Sequence, residues 1–450
     1  MQNYHKHTSY SNVLVTDCAA SYEEYIQRAV ELGQNVISSV EHGYQGNYYV
    51  PYELVQKHND KLLKDVESGL LTKEQFEKKK LKFVFGAEAY WVKDRLAEYS
   101  KIDKKTGKEI PNEFVKDRTN CHIILLAKNE EGRRDINEIL SVASIDGFYG
   151  QPRIDINLLL HVKPENIMVT TACLKYWAYN DIDEITEKLY RHFKDNFFLE
   201  IQYHNTDIQK KINKRIIDLH DKFGIKLILG CDSHYIYPDQ YKERDNYLEA
   251  RGIIYDEDEQ GWYMDYPDEQ EARRRLKEQG ILTDEQIDEC IKNTDILLDF
   301  DDIVLNKNIK LPKNYLFNGE WVGDKSQEWR DTTLHNLVYS KWNEIKNTVS
   351  PERYKEYKDG IEYELNAIID TKMADYFLID YELVKTGVEN GGIITKTGRG
   401  SGVSYYVNSL LGFSNIDRFI SPVKLYPDRF ISKTRILKTK SLPDLDLNLG

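Results

Sequence analysis

The sequence predicts an α/β fold over its first half, with the strand–helix alternation of a barrel, and two observations predict it. Short apolar runs alternate with amphipathic stretches from the N-terminus to about residue 235, and residues able to hold a metal recur at the ends of those runs. The runs are VISSVEHG (36–43), KFVFGAEAYW (82–91), CHIILLAKN (121–129), NIMVTTACL (166–174), FFLEIQYH (197–204) and IKLILGCDSHY (225–235), each read as a buried strand. Between them, SYEEYIQRAVELG (21–33) and TDIQKKINKRIIDLHDKFG (206–224) carry a helical period, the second opening at a capping residue and closing at Gly224. Residues 59–81, rich in Lys and Glu, read as a solvated helical excursion, and 101–118 as a polar hairpin or loop. From 236 to 309 the texture turns acidic and helical, as in a connector. A further domain is expected over 310–450: two helical patterns (323–346 and 351–370), a glycine-rich turn GGIITKTGRGSG (391–402), and a basic stretch KLYPDRFISKTRILKTK (424–440) read as a strand before SLPDLDLNLG.

Composition bounds the function. A chain of 450 residues suggests two to four domains. No apolar run is long enough to cross a bilayer, and MQNYHKHTSYS has neither the basic start nor the apolar core of a secretory signal, so no membrane partner is expected. Five cysteines in so long a chain are no disulfide framework, and the expected compartment is a reducing cytoplasm. A net charge of −13 excludes a protein that simply coats DNA, while leaving room for a local basic groove and for divalent metals.

The metal-ligating residues are the sharpest signal. His5 and His7 form H-x-H, and Asp232 and His234 form D-x-H. His42 lies just after a strand, in VEHG, and Glu88 just after another, in GAEAY; His122 starts a strand, Cys173 ends one, and Asp17 lies in the loop after the strand that carries His5 and His7. Strand ends on one rim of an α/β barrel converge. Imidazole, carboxylate and thiolate together suit Zn²⁺, Mn²⁺ or Fe²⁺ better than Ca²⁺, and nine ligands suit two or three ions sharing carboxylates. Such clusters serve phosphoryl displacement. His58, His161, His192, His204, His220 and His335 read as packed or surface residues, and Cys18, Cys121, Cys231 and Cys290 as small core residues.

NYHKHTSYS, VEHG, GAEAY, CHIILLAKN, TTACL and GCDSHY resemble, in order, the motifs of the polymerase-and-histidinol-phosphatase (PHP) domain that opens the alpha subunit of bacterial DNA polymerase III. The resemblance implies a distorted (β/α)₇ barrel, with a trinuclear centre on His5, His7, Asp17, His42, Glu88, His122, Cys173, Asp232 and His234. It also implies 3′→5′ trimming of DNA ends as proofreading. Glu41 stands where the family usually has Asp, and is expected behind the ligands.

Residues 361–450 resemble the start of the palm of the same C-family replicative polymerases, implying an incomplete α+β palm. Glycines at 398, 400 and 402 let backbone N–H groups approach phosphates. Gly398, Arg399, Gly400, Ser401, Arg429 and Arg435 are expected to contact substrate phosphates. Asp444 and Asp446 match two catalytic carboxylates that hold Mg²⁺, facing one way if the segment is a strand. Asn448 replaces a third acid. The family's remaining catalytic aspartate lies further downstream, so the expectation is either a fragment or one half of a split polymerase, unable alone to synthesise DNA. The implied partners are primer-template DNA, dNTP, the missing C-terminal portion and replisome proteins. A free-standing metal phosphatase or nuclease, and a non-catalytic replisome scaffold, are the competing readings. Residues 391–446 speak against the first, and the number of ligands against the second.

Overall fold

Each of the six apolar runs forms a strand in the computed structural model, which describes residues 1–13, 17–103, 105–252, 262–308, 310–394, 399–439 and 441–447. The chain divides into two units, Met1–Val304 and Leu305–Gly450.

In the first unit the strands are β1 (Val36–Ser39), β2 (Lys82–Val92), β3 (Glu98–Ile102), β4 (Glu109–Lys116), β5 (Cys121–Ala127), β6 (Arg153–Asp155), β7 (Ile167–Thr170), β8 (Phe197–Ile201) and β9 (Leu227–Leu229). Seven form one curled sheet in the order β1-β2-β5-β7-β8-β9, with β6 also on β2. The N-terminal segment continues the curl. His7 N–H donates to the Ser233 carbonyl and Ser233 N–H to that of His5, while the Lys6 ammonium reaches the Ser38 hydroxyl beside β1 at 2.7 Å. One row of side chains fills the interior: Tyr4, Val36, Val84, Ile124, Leu126, Met168, Phe198 and Ile228, closed below by Leu297 and Phe300.

This topology explains why the rim collects chemistry. β2 and β5 are antiparallel with Tyr90 opposite His122, so the start of β5 lies beside the end of β2. β7 is antiparallel to β5, which returns its end, and Cys173, to the same rim. β8 and β9 run parallel to β7, bringing Glu200 and the segment after Leu229 there too.

The polar stretch near 101–118 is the β3–β4 hairpin. The Lys/Glu-rich excursion is helical, over Tyr49–Glu67 and Lys73–Lys79. Within residues 236–304, helix Asp284–Asn293 seals β9. Glu289 accepts the Leu227 N–H, and the Asn293 amide donates to the Leu227 carbonyl, so this edge leaves no open backbone at Leu227.

The second unit is built on helices Gln327–Ile345, Tyr354–Asp370 and Ala374–Glu389 around Trp342, Tyr357, Ile361, Phe377, Tyr405 and Phe430. Its strands among the described residues are β10 (Leu316–Phe317) and β11 (Glu320–Trp321). Two buried acids tie it together. Asp375 meets Arg330 at 2.6 Å and the Tyr315 hydroxyl at 2.7 Å. Glu364 accepts the Val407 N–H at 2.8 Å and the Arg418 guanidinium at 2.6 Å. The basic stretch is not a strand. It forms a turn at Pro427–Arg429 and a helix at Lys433–Thr439, because Phe430, Ile431 and Ile436 turn inward to the core. Residues 441–447 form no strand either, although Leu445 and Leu447 pack on the core.

Candidate metal centre

Glu88 stands at the middle of the rim, fully buried in β2. Its two carboxylate oxygens lie 2.9 Å from His122 Nδ1 and 2.5 Å from His42 Nδ1, with His5 and His7 Nε2 each at 3.6 Å. Asp232 Oδ1 is 3.2 Å from His5 Nε2 and 3.3 Å from His7 Nε2. His234 Nε2 faces Asp17 Oδ2 at 3.2 Å, and Cys173 Sγ lies 3.4 Å from His122 Nδ1. The structure thus brings together all nine residues singled out from the sequence. Their atoms form overlapping groups with the spacing a metal ion requires: His42, Glu88 and His122; His5, His7 and Asp232; His7, His42 and His234; Asp17, Cys18 and His234.

Local backbone supports this placement. Asp232 and Ala172, the neighbour of Cys173, both adopt left-handed conformations, with φ of +48° and +49°. Non-glycine residues hold such conformations at a cost of about 1–3 kcal/mol, and they gather at functional sites.

The residues fit divalent cations. Both oxygens of Glu88, Oδ1 of Asp232, Nδ1 of His42 and Nε2 of His122 are buried, without a hydrogen bond of good geometry even where Glu88 lies close to His42 and His122. Such groups are expensive to bury unless something positive lies among them. Burial acts to raise the Glu88 pKa, but His122 and His42 pull it well below the usual carboxylate range. Asp232 behaves likewise through His5, His7 and His234. Burial, helped by His42, presses His7 down to about 4, so it is a neutral imidazole with a lone pair to offer.

A supporting layer was less legible in sequence. The Glu200 carboxylate meets His5 Nδ1 at 2.6 Å, and accepts from the Tyr4 hydroxyl at 2.6 Å and the Gln202 amide at 3.0 Å. Its only sequence signal is an acid inside the apolar run FFLEI. Glu41 accepts from the hydroxyls of Thr8, Ser11 and Tyr22, and lies behind the cluster. Cys18, read as a core residue, is buried with Sγ 3.1 Å from Asp17 Oδ1. His204, read as a packed residue, is fully buried and interacts electrostatically with Asp232 and His234.

In the second unit, Arg399 Nη2 is 3.5 Å from Asp446 Oδ1. Gly400, at φ +68°, presses so closely that a Cβ there would sit 1.9 Å from Asp446 Oδ2. Asp444 is exposed beside it in sequence. The Ser401 carbonyl accepts from the Ser404 N–H and hydroxyl. The structure does not bring Arg429 or Arg435 to the aspartates. Arg429 is exposed on its turn, and the Arg435 guanidinium donates to the Phe430 carbonyl at 2.6 Å. Gly398, Lys440 and Asn448 lie outside the described residues.

Comparison with known proteins matches residues 3–204 to the PHP domain and residues 332–450 to the bacterial DNA polymerase III alpha NTPase domain. The chain thus carries one stretch similar to each of these two domains. The DNA polymerase III subunit alpha of Aquifex aeolicus is 27% identical over 463 residues, covering 99% of this chain and 36% of that protein. That of Helicobacter pylori strain 26695 is 26% identical over 98% of this chain and 34% of its own length, and that of Campylobacter jejuni 27% identical over 82% and 31%. The chain therefore spans about a third of the length of these relatives. The stretch matched to the PHP domain carries β1 to β8 and seven of the nine clustered residues, while β9, Asp232 and His234 lie beyond it, and the glycine turn beside Asp446 falls in the stretch matched to the NTPase domain. Among the described residues no helix is long and apolar enough to cross a membrane.

Proposed function

We propose that the chain is the N-terminal portion of a replicative DNA polymerase of the polymerase III alpha type, whose PHP domain is a metal-dependent phosphoesterase that trims DNA 3′ ends during proofreading. The observation that carries this reading is the ring of buried ligand atoms crowded around Glu88 and Asp232. His5, His7, Asp17, His42, Glu88, His122, Cys173, Asp232 and His234 would hold Zn²⁺, Mn²⁺ or Fe²⁺ in a cluster of up to three ions. Ions bound there supply a hydroxide near neutral pH and neutralise charge on the phosphodiester.

The rest is the protein's work. Glu200 engages His5 Nδ1 and so leaves His5 Nε2 toward Asp232 and Glu88. Glu41 gathers the hydroxyls of Thr8, Ser11 and Tyr22, and the Ser11 hydroxyl in turn lies 3.3 Å from His7 Nδ1. Both imidazoles are therefore oriented before substrate arrives. In the NTPase domain, Asp444 and Asp446 would hold Mg²⁺ for nucleotidyl transfer to a primer on template DNA. Gly398, Arg399, Gly400 and Ser401 would serve the triphosphate or primer phosphates, in company with other replisome proteins. The close approach of Gly400 to Asp446 supports that pairing of loop and carboxylate.

The test is exonuclease activity on a 3′-mismatched primer after loading with Mn²⁺ or Zn²⁺. Wild type is expected to remove the mismatched nucleotide, and His7→Ala and Asp232→Ala each to lose at least about a hundredfold, in keeping with loss of a metal-held nucleophile. A folded, metal-loaded wild type that leaves the primer intact overturns the reading.

A further inference from the structure

Immediately beyond His234 the first unit opens into a cavity of about 560 Å³, whose aromatic lining is Tyr235, Tyr241, Trp262 and Tyr263. That volume falls within the range of small-molecule sites. The cavity wall hangs on the same backbone that presents the cluster. The N–H groups of His234 and Tyr235 both donate to the Met264 carbonyl, at 2.8 and 3.3 Å, and Tyr266 N–H donates to the Ile236 carbonyl at 3.1 Å.

The aromatic walls are braced. The Arg275 guanidinium lies 4.5 Å from the centre of the Tyr263 ring, and the Trp262 ring rests 4.8 Å from the His204 imidazole. The lining has no surplus of positive charge. Arg275 is held by Asp265 at 2.6 and 2.9 Å and by Glu271 at 2.8 Å, and Arg244 has Asp245 at 3.6 Å. A phosphate has little to gain here, whereas a flat, neutral ring can lie against aromatic faces.

The Trp262–Tyr263 wall is also tied to a buried histidine behind it. Tyr263 N–H donates to His204 Nδ1 at 3.1 Å, which leaves the imidazole proton on Nε2. That Nε2 is buried without a hydrogen-bond partner in a residue only 1% exposed.

We propose that this cavity is a nucleobase pocket, holding the terminal base of a single-stranded DNA end whose phosphodiester lies at the adjoining cluster. The proposal rests on the phosphoesterase reading and names its substrate: an unpaired end rather than a duplex, since only a splayed base can enter. Base–aromatic stacking tolerates any base, so the pocket selects for unpairing and not for sequence. That is what a proofreading site needs, because a mismatched end frays more readily.

The test measures binding separately from cleavage. A single-stranded oligonucleotide with a phosphorothioate at its last linkage is titrated by fluorescence anisotropy, its 3′-terminal residue either normal or abasic. Wild type is expected to bind the normal end about tenfold more tightly, the scale of one stacked base. Trp262→Ala and Tyr241→Ala are each expected to bring that ratio below about threefold, and Trp262→Phe to keep it. Equal binding of the two ends by wild type, or a ratio that survives in both alanine variants, overturns the pocket. Cleavage of the unmodified oligonucleotide is followed in parallel. A retained base preference without cleavage upholds the pocket and removes the phosphoesterase, and cleavage without base preference does the reverse.

Discussion

The Glu200 carboxylate gathers four donors or partners: Tyr4, His5, Thr170 and Gln202. Its carboxyl group lies against Gly230, where a Cβ would stand 2.1 Å from its carboxyl carbon. Replacing Glu200 by Ala would strand a buried tyrosine hydroxyl and a buried imidazole N–H. The expected result is a loss of about 1–3 kcal/mol in stability of the first unit, with metal affinity down about 10–100-fold. Chemical denaturation and metal content after dialysis check both. A variant that keeps full metal content would mean that Glu200 does not orient His5. At this scale the sequence is eloquent about H-x-H and D-x-H, where spacing alone sets two ligands together. It is silent about Glu200 and His204. The apolar run FFLEIQYH (197–204) says that both are buried, but not that either meets the cluster.

Helix Glu130–Ile145 illustrates how an element is fixed from both its cap and its contact. Asn129 caps it, its side chain accepting the Gly132 N–H at 2.8 Å. Gly132 itself lies so near the turn before β7 that a Cβ would stand 2.0 Å from the Asn166 carbonyl oxygen. Glycine inside a helix ordinarily disfavours it, and Gly→Ala ordinarily stabilises by about 0.5–1 kcal/mol. Here the sign should reverse, with Gly132→Ala lowering the melting temperature of the first unit. A raised melting temperature would show that the helix can slide away from Asn166 without loss. The elements themselves were largely readable, because a buried strand needs a continuous apolar run and those runs are distinct. Their ends were not. The run 225–235 yields only β9, Leu227–Leu229, because the backbone leaves the sheet to deliver Asp232 in its left-handed conformation. The stretch 424–440 misleads for another reason. A seven-residue helix such as Lys433–Thr439 is too short to display a period, and its buried side chain, Ile436, is followed by an exposed Leu437 that blurs the pattern.

Across the whole molecule, the two units handle buried charge in opposite ways, and pH separates them. The first collects carboxylates among imidazoles at its rim. The second buries Glu364, where burial, opposed by Arg418 and the backbone donors at Val407 and Tyr406, still raises the carboxyl to about 7. Asp380, raised by burial to about 6, acts in the same direction. A group whose pKa is higher folded than unfolded binds its proton more tightly in the folded state. Its contribution to stability is therefore complete below the ordinary value near 4.5 and is lost as pH climbs through about 7. The second unit should weaken between pH 5 and 8, by on the order of 3 kcal/mol from Glu364. Hydrogen exchange along helix Tyr354–Asp370, corrected for the intrinsic pH dependence of exchange, reads this directly. Glu364→Gln cannot ionise and should flatten the slope while keeping an acceptor for Val407. A second unit that gains stability over this range, or a glutamine variant with the slope intact, would mean that Arg418 holds Glu364 ionised throughout. The arginine would then make the acid a permanent ion pair rather than a proton store.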